Sequence, residues 1–505
     1  MCSADSSVRP YASSVSPETN SGAALIRRLP VMQPAERSTM LLSGKLQVCS
    51  TGSTTLLAQV GATARLPMQI ATMARSLIDV WPDAVYSKAM IETRLLGRTT
   101  VFIADPRLIR TLLVDHSDAL VREEVAQRAL VPALGNGILT SDGAAWRLQR
   151  RTVASAFRPD CIRALVPRMH EAARTTCARW SHRSPEETFD LLQDMMRTAL
   201  DIILAALVSG DDALDVDGFE NSLETYIGTT NWKMTYAMVG VPSWVPHPRQ
   251  AAGIRAAAAS RSAMAAIVAR RRTSGTPGTD LLGMLLCARD PETDTPMDDE
   301  AIVDNLLTFI AAGHETTALA LTWTLRLLHE HPEVEQRVLD EIEAIDPDFT
   351  GDPACVDHLV YTRQVLMESM RLFPPAPLIV RRTIRPVPLG GTTVQAGSSV
   401  HIPIYALHRQ ERLWPRAQVF DPDRFGPSLS AERERFAYMP FGAGPQVCIG
   451  AGLAMTECLV VLASLLPTYK LRPLQATLPR AQMRITLRPA GGMPVSVARR
   501  GTYRG

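Results

Sequence analysis

The stretch Phe441-Gly442-Ala443-Gly444-Pro445-Gln446-Val447-Cys448-Ile449-Gly450 decides how this chain is read. It is a Gly-rich turn that places a Cys just before an apolar segment running through Leu453 and Ala454 to Glu457. Glycines let a backbone pass close to a flat object. A helix start offers unpaired N–H groups and the positive end of a dipole, which favour a thiolate over a thiol. Hydrogen bonds from such N–H groups also tune a metal held by the sulfur, so Cys448 is the candidate metal ligand. Taken alone, the same residues also read as a Gly-rich loop burying an ordinary Cys.

Two further constellations accompany it. Ala312-Gly313-His314-Glu315-Thr316-Thr317 lies midway along an apolar segment, 297–330, for which Asp298 or Asp299 is a good N-cap. Gly and adjacent Thr are poor interior helix formers, and Thr hydroxyls compete for backbone carbonyls. A local opening is therefore predicted there, with room for oxygen and water. A zinc-protease reading fails, because the residue four beyond His314 is Ala318 rather than a second His. The bland alternative is a buried helix with a polar notch. Glu368 and Arg371 stand one helical turn apart on one face. By itself such a pair is usually a solvated surface contact of little energy.

Together these motifs resemble the cytochrome P450 superfamily, whose haem loop reads F-x-x-G-x-R-x-C-x-G. Phe441, Gly444, Cys448 and Gly450 match, while Gln446 stands where the family has an Arg that pairs with a haem propionate. Gln446 thus gives up a charge-assisted contact. Ala312 to Thr317 matches the family's A-G-x-[DE]-T-T. The resemblance implies that Thr316 is the hydroxyl stabilising dioxygen at the iron and that Glu315 feeds it protons. A thiolate ligand pushes electron density onto haem iron and favours O–O cleavage. Glu368 and Arg371 become the family's buried E-x-x-R pair, joined by Arg424 and holding the loop that leads to Cys448. Trp146 and Arg150 match a W-x-x-x-R that contacts the propionates, with Arg381 and His408 as further propionate partners. Phe309, Ala312 and Gly313 would meet the substrate beside Thr316. The segments 130–138 and 234–248 would form a mobile lid.

The implied fold is mainly α, a large helical haem domain with small β-sheets, covering 66–505. Helical spacing is read at 78–86, 107–114, 145–156, 161–180, 189–207, 255–272, 297–330 and 450–466. Strands are read at 99–103, 380–384, 392–394 and 399–404. Three prolines within seven residues make 240–248 a loop. Residues 1–65, rich in Ser and Thr, read as a weakly ordered N-terminal extension.

The whole composition agrees with an ordinary globular protein: 46% hydrophobic, 21% charged, net charge +2. That balance gives no electrostatic footprint for nucleic acid. Eight cysteines without a C-x-x-C pair disfavour a zinc site or a disulfide framework. No uninterrupted apolar run reaches about 18 residues, so no transmembrane anchor is expected and the protein reads as soluble and cytoplasmic. The expected function is a haem-thiolate monooxygenase that uses haem b and O2 on an apolar small molecule. Without a flavin or iron–sulfur segment of its own, it would draw electrons from a ferredoxin or flavodoxin and its reductase. The rivals are a peroxide-driven or isomerising haem-thiolate enzyme and a non-catalytic haem sensor.

Overall fold

The computed structural model describes residues 76–95, 98–208, 214–238, 241, 244–276, 278–346 and 349–501. The N-terminal extension read at 1–65 lies outside them. Ten described helices have eleven or more residues: α1 (Glu124–Leu134), α2 (Gly143–Ala154), α3 (Pro159–Ser181), α4 (Leu191–Val208), α5 (Val216–Met238), α6 (Gln250–Ser274), α7 (Asp299–Glu330), α8 (Pro332–Ile345), α9 (Val360–Leu372) and α10 (Ala451–Leu465). The strands are β1 (Met90–Leu95), β2 (Arg98–Ile103), β3 (Leu120–Arg122), β4 (Phe189–Asp190), β5 (Ile379–Thr383), β6 (Val387–Leu389), β7 (Thr392–Val394), β8 (Ser399–Ile402), β9 (Tyr469–Pro473), β10 (Ala481–Met483), β11 (Leu487–Pro489) and β12 (Pro494–Arg499).

The axis of the molecule is α7. Its N-cap Asp298 accepts from the Ala301 N–H, and Asp299 and Glu300 complement the dipole in the first turn. Both flanking stretches, 302–310 and 317–328, are buried on every face, as expected of a helix enclosed by others. It packs against α4, α6, α9 and α10. The helix is continuous through 312–317, so the predicted opening is absent. Thr316 instead satisfies its hydroxyl on the Ala312 carbonyl four residues back, at 2.5 Å, without breaking the ladder.

A five-stranded sheet, ordered β1-β2-β8-β5-β3, forms the opposite flank. Only β2 and β8 run parallel; the other neighbours are antiparallel. Val101, Ile103, Val400 and Ile402 from its central strands build a second, smaller core with Leu112 and Leu113. A three-stranded sheet, β4-β12-β9, and the hairpins β6-β7 and β10-β11 complete the fold.

Several sequence boundaries shift for local reasons. The helix read at 78–86 is two 3-10 turns, Leu77–Val80 and Asp83–Tyr86. Pro82 divides them, holding Trp81 extended at ψ 138°. The helix read at 107–114 is α-helical over Pro106–Arg110 and then widens into a π turn, Thr111–Asp115. The strand read at 399–404 stops at Ile402, before Pro403. α5 was not anticipated as a helix.

Candidate active site: the cysteine loop and the notch in α7

The cysteine loop closes on itself. The Cys448 N–H donates to the Phe441 carbonyl at 2.9 Å, and the Val447 N–H donates to the Gly444 carbonyl at 3.1 Å. Gly442 and Gly444 sit at φ 76° and 75°, a region that strains any other L residue. At Gly444 a Cβ would also stand 2.3 Å from the Leu113 carbonyl oxygen of the π turn, so glycine is required twice over. Gly450 caps α10, whose first N–H groups follow the thiol directly. Burial pushes the Cys448 thiol up, while the Gly450 N–H and the Arg150 charge pull it down. Yet Cys448 itself is exposed.

The same signature occurs on α7. Ala312 is exposed and Ala311, Gly313 and Thr316 are half-buried, between stretches that are wholly buried. Gly313 looks toward Ile203 of α4, to which a Cβ would come within 3.5 Å. Phe309 is buried, and its ring meets Phe157 edge-on with centroids 5.1 Å apart. Phe157 in turn lies 3.9 Å from the Cβ position of Gly450. This phenyl, missed in the sequence, therefore bridges the cysteine loop and α7. The available signal was an aromatic residue just past the W-x-x-x-R helix.

Among the described residues, two guanidinium groups here lack a carboxylate within ion-pair distance. Arg150 of α2 donates to the Val447 carbonyl at 2.9 Å, and burial depresses its pKa while Cys448 raises it. Arg381 of β5 donates only to its neighbour's carbonyl, Val380, at 2.8 Å. It is directly opposite Arg122 of β3, and burial followed by that like charge brings it down to about 10. Arg122 has Asp142 at 3.6 Å, whereas Arg381 has no carboxylate within ion-pair distance among the described residues. Buried cations of this kind call for an anion. Arg150, on the same helix as the buried Trp146, and Arg381 could hold acidic groups of a flat cofactor bound through Cys448. The residues present thus fit a haem.

His408 does not belong to this group. Its ring is fully buried, with Nε2 accepting from the Met439 N–H at 3.0 Å. Burial first, then Arg371 and Arg409, holds it well below the ordinary histidine range. It stacks on Tyr438 at 5.3 Å. His408 supports the chain entering the cysteine loop and presents no cation to a propionate.

Glu368, Arg371 and Arg424 are brought together as expected. Arg371 is bidentate on Glu368 at 2.7 and 2.8 Å and donates to the carbonyls of His408, Ala417 and Val419. Arg424 reaches Glu368 at 3.0 Å, and the Asp421 N–H reaches the same oxygen at 2.9 Å. All donors and acceptors of the buried pair are matched, which buried charge requires.

Glu315 does not stand free. Its carboxylate accepts from Arg488 of β11 at 2.6 Å and from the Thr486 hydroxyl. Nothing local in the sequence signals that pairing across 173 residues. The expected lid is also altered. Residues 130–134 end α1, and 234–238 belong to α5. The turn after α1 is fastened: Asn136 N–H donates to Asp304 at 2.7 Å and Ile138 N–H to Asn305 at 3.0 Å.

A notch in a central helix joined through Phe157 to a cysteine loop is compatible with the class of helical haem-thiolate proteins. Residues 85–493 match the family model Cytochrome P450, and the chain belongs to that family. It is 34% identical over 393 residues to the Cyclooctat-9-en-7-ol 5-monooxygenase of Streptomyces melanosporofaciens, covering 77% of this chain and 83% of that protein. It is 32% identical to the Cyclooctatin synthase of the same organism, covering 80% and 88%. The crystal structure of the cytochrome P450DA heme domain superposes with a TM-score of 0.73 at 25% identity, covering 88% of this chain and 94% of that one. The chain is accordingly a cytochrome P450 monooxygenase, an oxidoreductase that works with haem, O2 and a redox partner. No described helix is long and apolar enough to cross a membrane.

Proposed function

We propose that this chain is a cytoplasmic, haem b-dependent monooxygenase that hydroxylates an apolar alicyclic compound, with electrons delivered by a ferredoxin or flavodoxin and its reductase. The observation that carries the reading is that Phe157 joins the loop of the exposed Cys448 to α7, where Ala312 is exposed between wholly buried stretches. The relatives named for cyclooctat-9-en-7-ol and cyclooctatin point to an alicyclic substrate. Haem bound through Cys448 would supply oxygen activation, the chemistry that side chains lack.

The residues of this chain have separable tasks. Phe309, Ala312 and Gly313 offer an apolar face that orients substrate and excludes water. Thr316 holds a hydroxyl proton whose resting acceptor is the Ala312 carbonyl. Rotated off that carbonyl, it would be free to donate elsewhere. Glu315 holds its acceptor oxygen between Thr486 and Arg488, and the partly exposed Arg488 side chain joins that carboxylate to the surface. Glu315, next to Thr316 in sequence, would feed it the protons that O–O cleavage consumes.

The test is reconstitution with NADPH, a surrogate ferredoxin and its reductase, and cyclooctat-9-en-7-ol. Substrate-dependent hydroxylation is expected. Turnover with peroxide alone would replace this reading by the peroxide-driven one, and failure of both by the sensor. The reduced carbon monoxide complex should show the red-shifted band of a thiolate-ligated haem, lost in Cys448→Ala; a band that survives removes Cys448 as the ligand.

A further inference from the structure

One segment of the chain touches the cysteine loop both before and after the sulfur-bearing residue. Arg150 of α2 donates to the carbonyl of Val447, the residue before Cys448. Seven residues on, in the 3-10 turn Ser155–Phe157 that continues α2, Phe157 approaches Gly450, two residues after Cys448. Gly450 has no side chain, and the Cβ position it leaves empty lies 3.9 Å from the Phe157 ring and 4.0 Å from the Cys448 sulfur. Apart from the chain neighbours of Gly450, no other described side chain comes within 4 Å of that point. Ring and sulfur therefore flank one small gap, which a methyl group would fill at ordinary van der Waals distance.

A second contact holds the ring. It meets the buried Phe309 of α7 edge-on, with centroids 5.1 Å apart and planes at 76°. Of the ring atoms only Cε1 comes within 4 Å of the gap, so the ring offers it a corner rather than a face. The edge of an aromatic ring carries partial positive charge, which suits a thiolate, and it has no hydrogen to donate strongly. The loop already supplies the sulfur with the Gly450 N–H and the Arg150 charge. Water in the gap would be a further donor, and hydrogen bonds and solvent at a ligating sulfur draw electron density away from the metal.

We propose that Phe157 is a positioning residue for the haem ligand: its ring closes the gap that Gly450 leaves beside the Cys448 sulfur, keeps water from the thiolate and so holds the reduction potential of the haem down. The inference rests on Cys448 being the ligand, as proposed above. It concerns no substrate contact, and its readouts do not depend on turnover.

The test is redox titration of the haem-loaded, substrate-free protein, with the Fe–S stretching frequency read by resonance Raman. Phe157→Ala is expected to shift the one-electron reduction equilibrium about tenfold, a rise of about 59 mV in potential, and to lower the Fe–S frequency as water reaches the sulfur. Phe157→Leu keeps an apolar group beside Gly450 and should stay close to the unsubstituted protein. Gly450→Ala in the Phe157→Ala background should return much of the shift, because its methyl takes the same gap and φ −83° accepts alanine. Phe309→Leu, which releases the ring from its second contact, should give a smaller rise of the same sign and serves where Phe157→Ala fails to hold haem. An unchanged potential and Fe–S frequency in these variants, in a protein whose carbon monoxide band still depends on Cys448, overturns the role of Phe157 alone. A shift that Gly450→Ala leaves in place belongs to loosened packing and overturns it as well. A band that survives Cys448→Ala overturns the ligand reading and this inference with it.

Discussion

Gln446 is the residue at which this chain departs most consequentially from its family's loop. Its Oε1 is buried without a hydrogen-bond partner, and it adds no positive charge beside Arg150 and Arg381. A hydrogen bond to a charged group contributes about 1.5–3 kcal/mol, and a neutral amide recovers only part of that. Gln446→Arg should therefore slow haem loss several-fold while leaving the carbon monoxide band in place, since Cys448 is untouched. Arg150→Ala should damage retention more in the native background than in Gln446→Arg, because the two sites would serve one anionic group and couple. The measurement is haem transfer to an acceptor protein across the double-mutant cycle. Strict additivity in the logarithm of the rate, or no gain from Gln446→Arg, would remove Gln446 from haem retention.

Among elements, the join between α7 and its neighbours turns on Asp304. One carboxylate oxygen accepts from the Asn136 N–H in the turn after α1, and the other from Arg261 of α6 at 2.7 Å. Gly135, at φ 62°, leaves no space for a Cβ against the same carboxylate. Asp304→Ala removes the carboxylate from both the Asn136 N–H and the Arg261 guanidinium, and a hydrogen bond to a charged group contributes about 1.5–3 kcal/mol. Amide exchange at Asn136 and Ile138 should accelerate ten- to a hundredfold while amides pairing β5 with β8 keep their protection; unchanged exchange at Asn136 would show that the turn is held by other contacts. Such joins also mark the limit of what the sequence discloses. The cysteine loop, the notch in α7 and the Glu368–Arg371 pair are each contained within ten residues, so residue types and spacing reveal them. Asp304 and Arg261 are 43 apart, and His408 acquires its role from an N–H 31 residues away. α5 was hidden for a related reason: Gly228, Thr229 and Thr230 are weak helix formers, and the helix is carried by packing against α6 at Gly253.

At the scale of the whole molecule, neutral histidines, His314 and His408 buried and His401 half-buried, set the acid limit of the fold. Burial lowers both His314 on α7 and His401 on β8 to about 4, and His408 lies well below its ordinary value. Unfolded, each takes up a proton near 6.5. Between pH 6.5 and about 4 the unfolded chain therefore binds more protons than the folded one, and stability falls as pH falls. Above about 6.5 both states are neutral and the loss is absent. A shift from 6.5 to about 4 corresponds to roughly 3 kcal/mol for each of His314 and His401, large beside a typical net stability of about 5–15 kcal/mol. Asp290, held down at about 2 by Arg151, titrates below that window. Urea unfolding followed by circular dichroism at pH 7.5, 6 and 5 should show this decline. His401→Gln removes one proton-binding site from the unfolded chain, so its slope should be shallower by up to about 1.4 kcal/mol per pH unit. The ring lies against Phe102 and its Nε2 against Ser399, so the variant starts from lower stability at pH 7.5. A slope equal to that of the unsubstituted protein would mean that His401 takes up its proton in the folded state, and the acid limit would then have to be sought in the carboxylates.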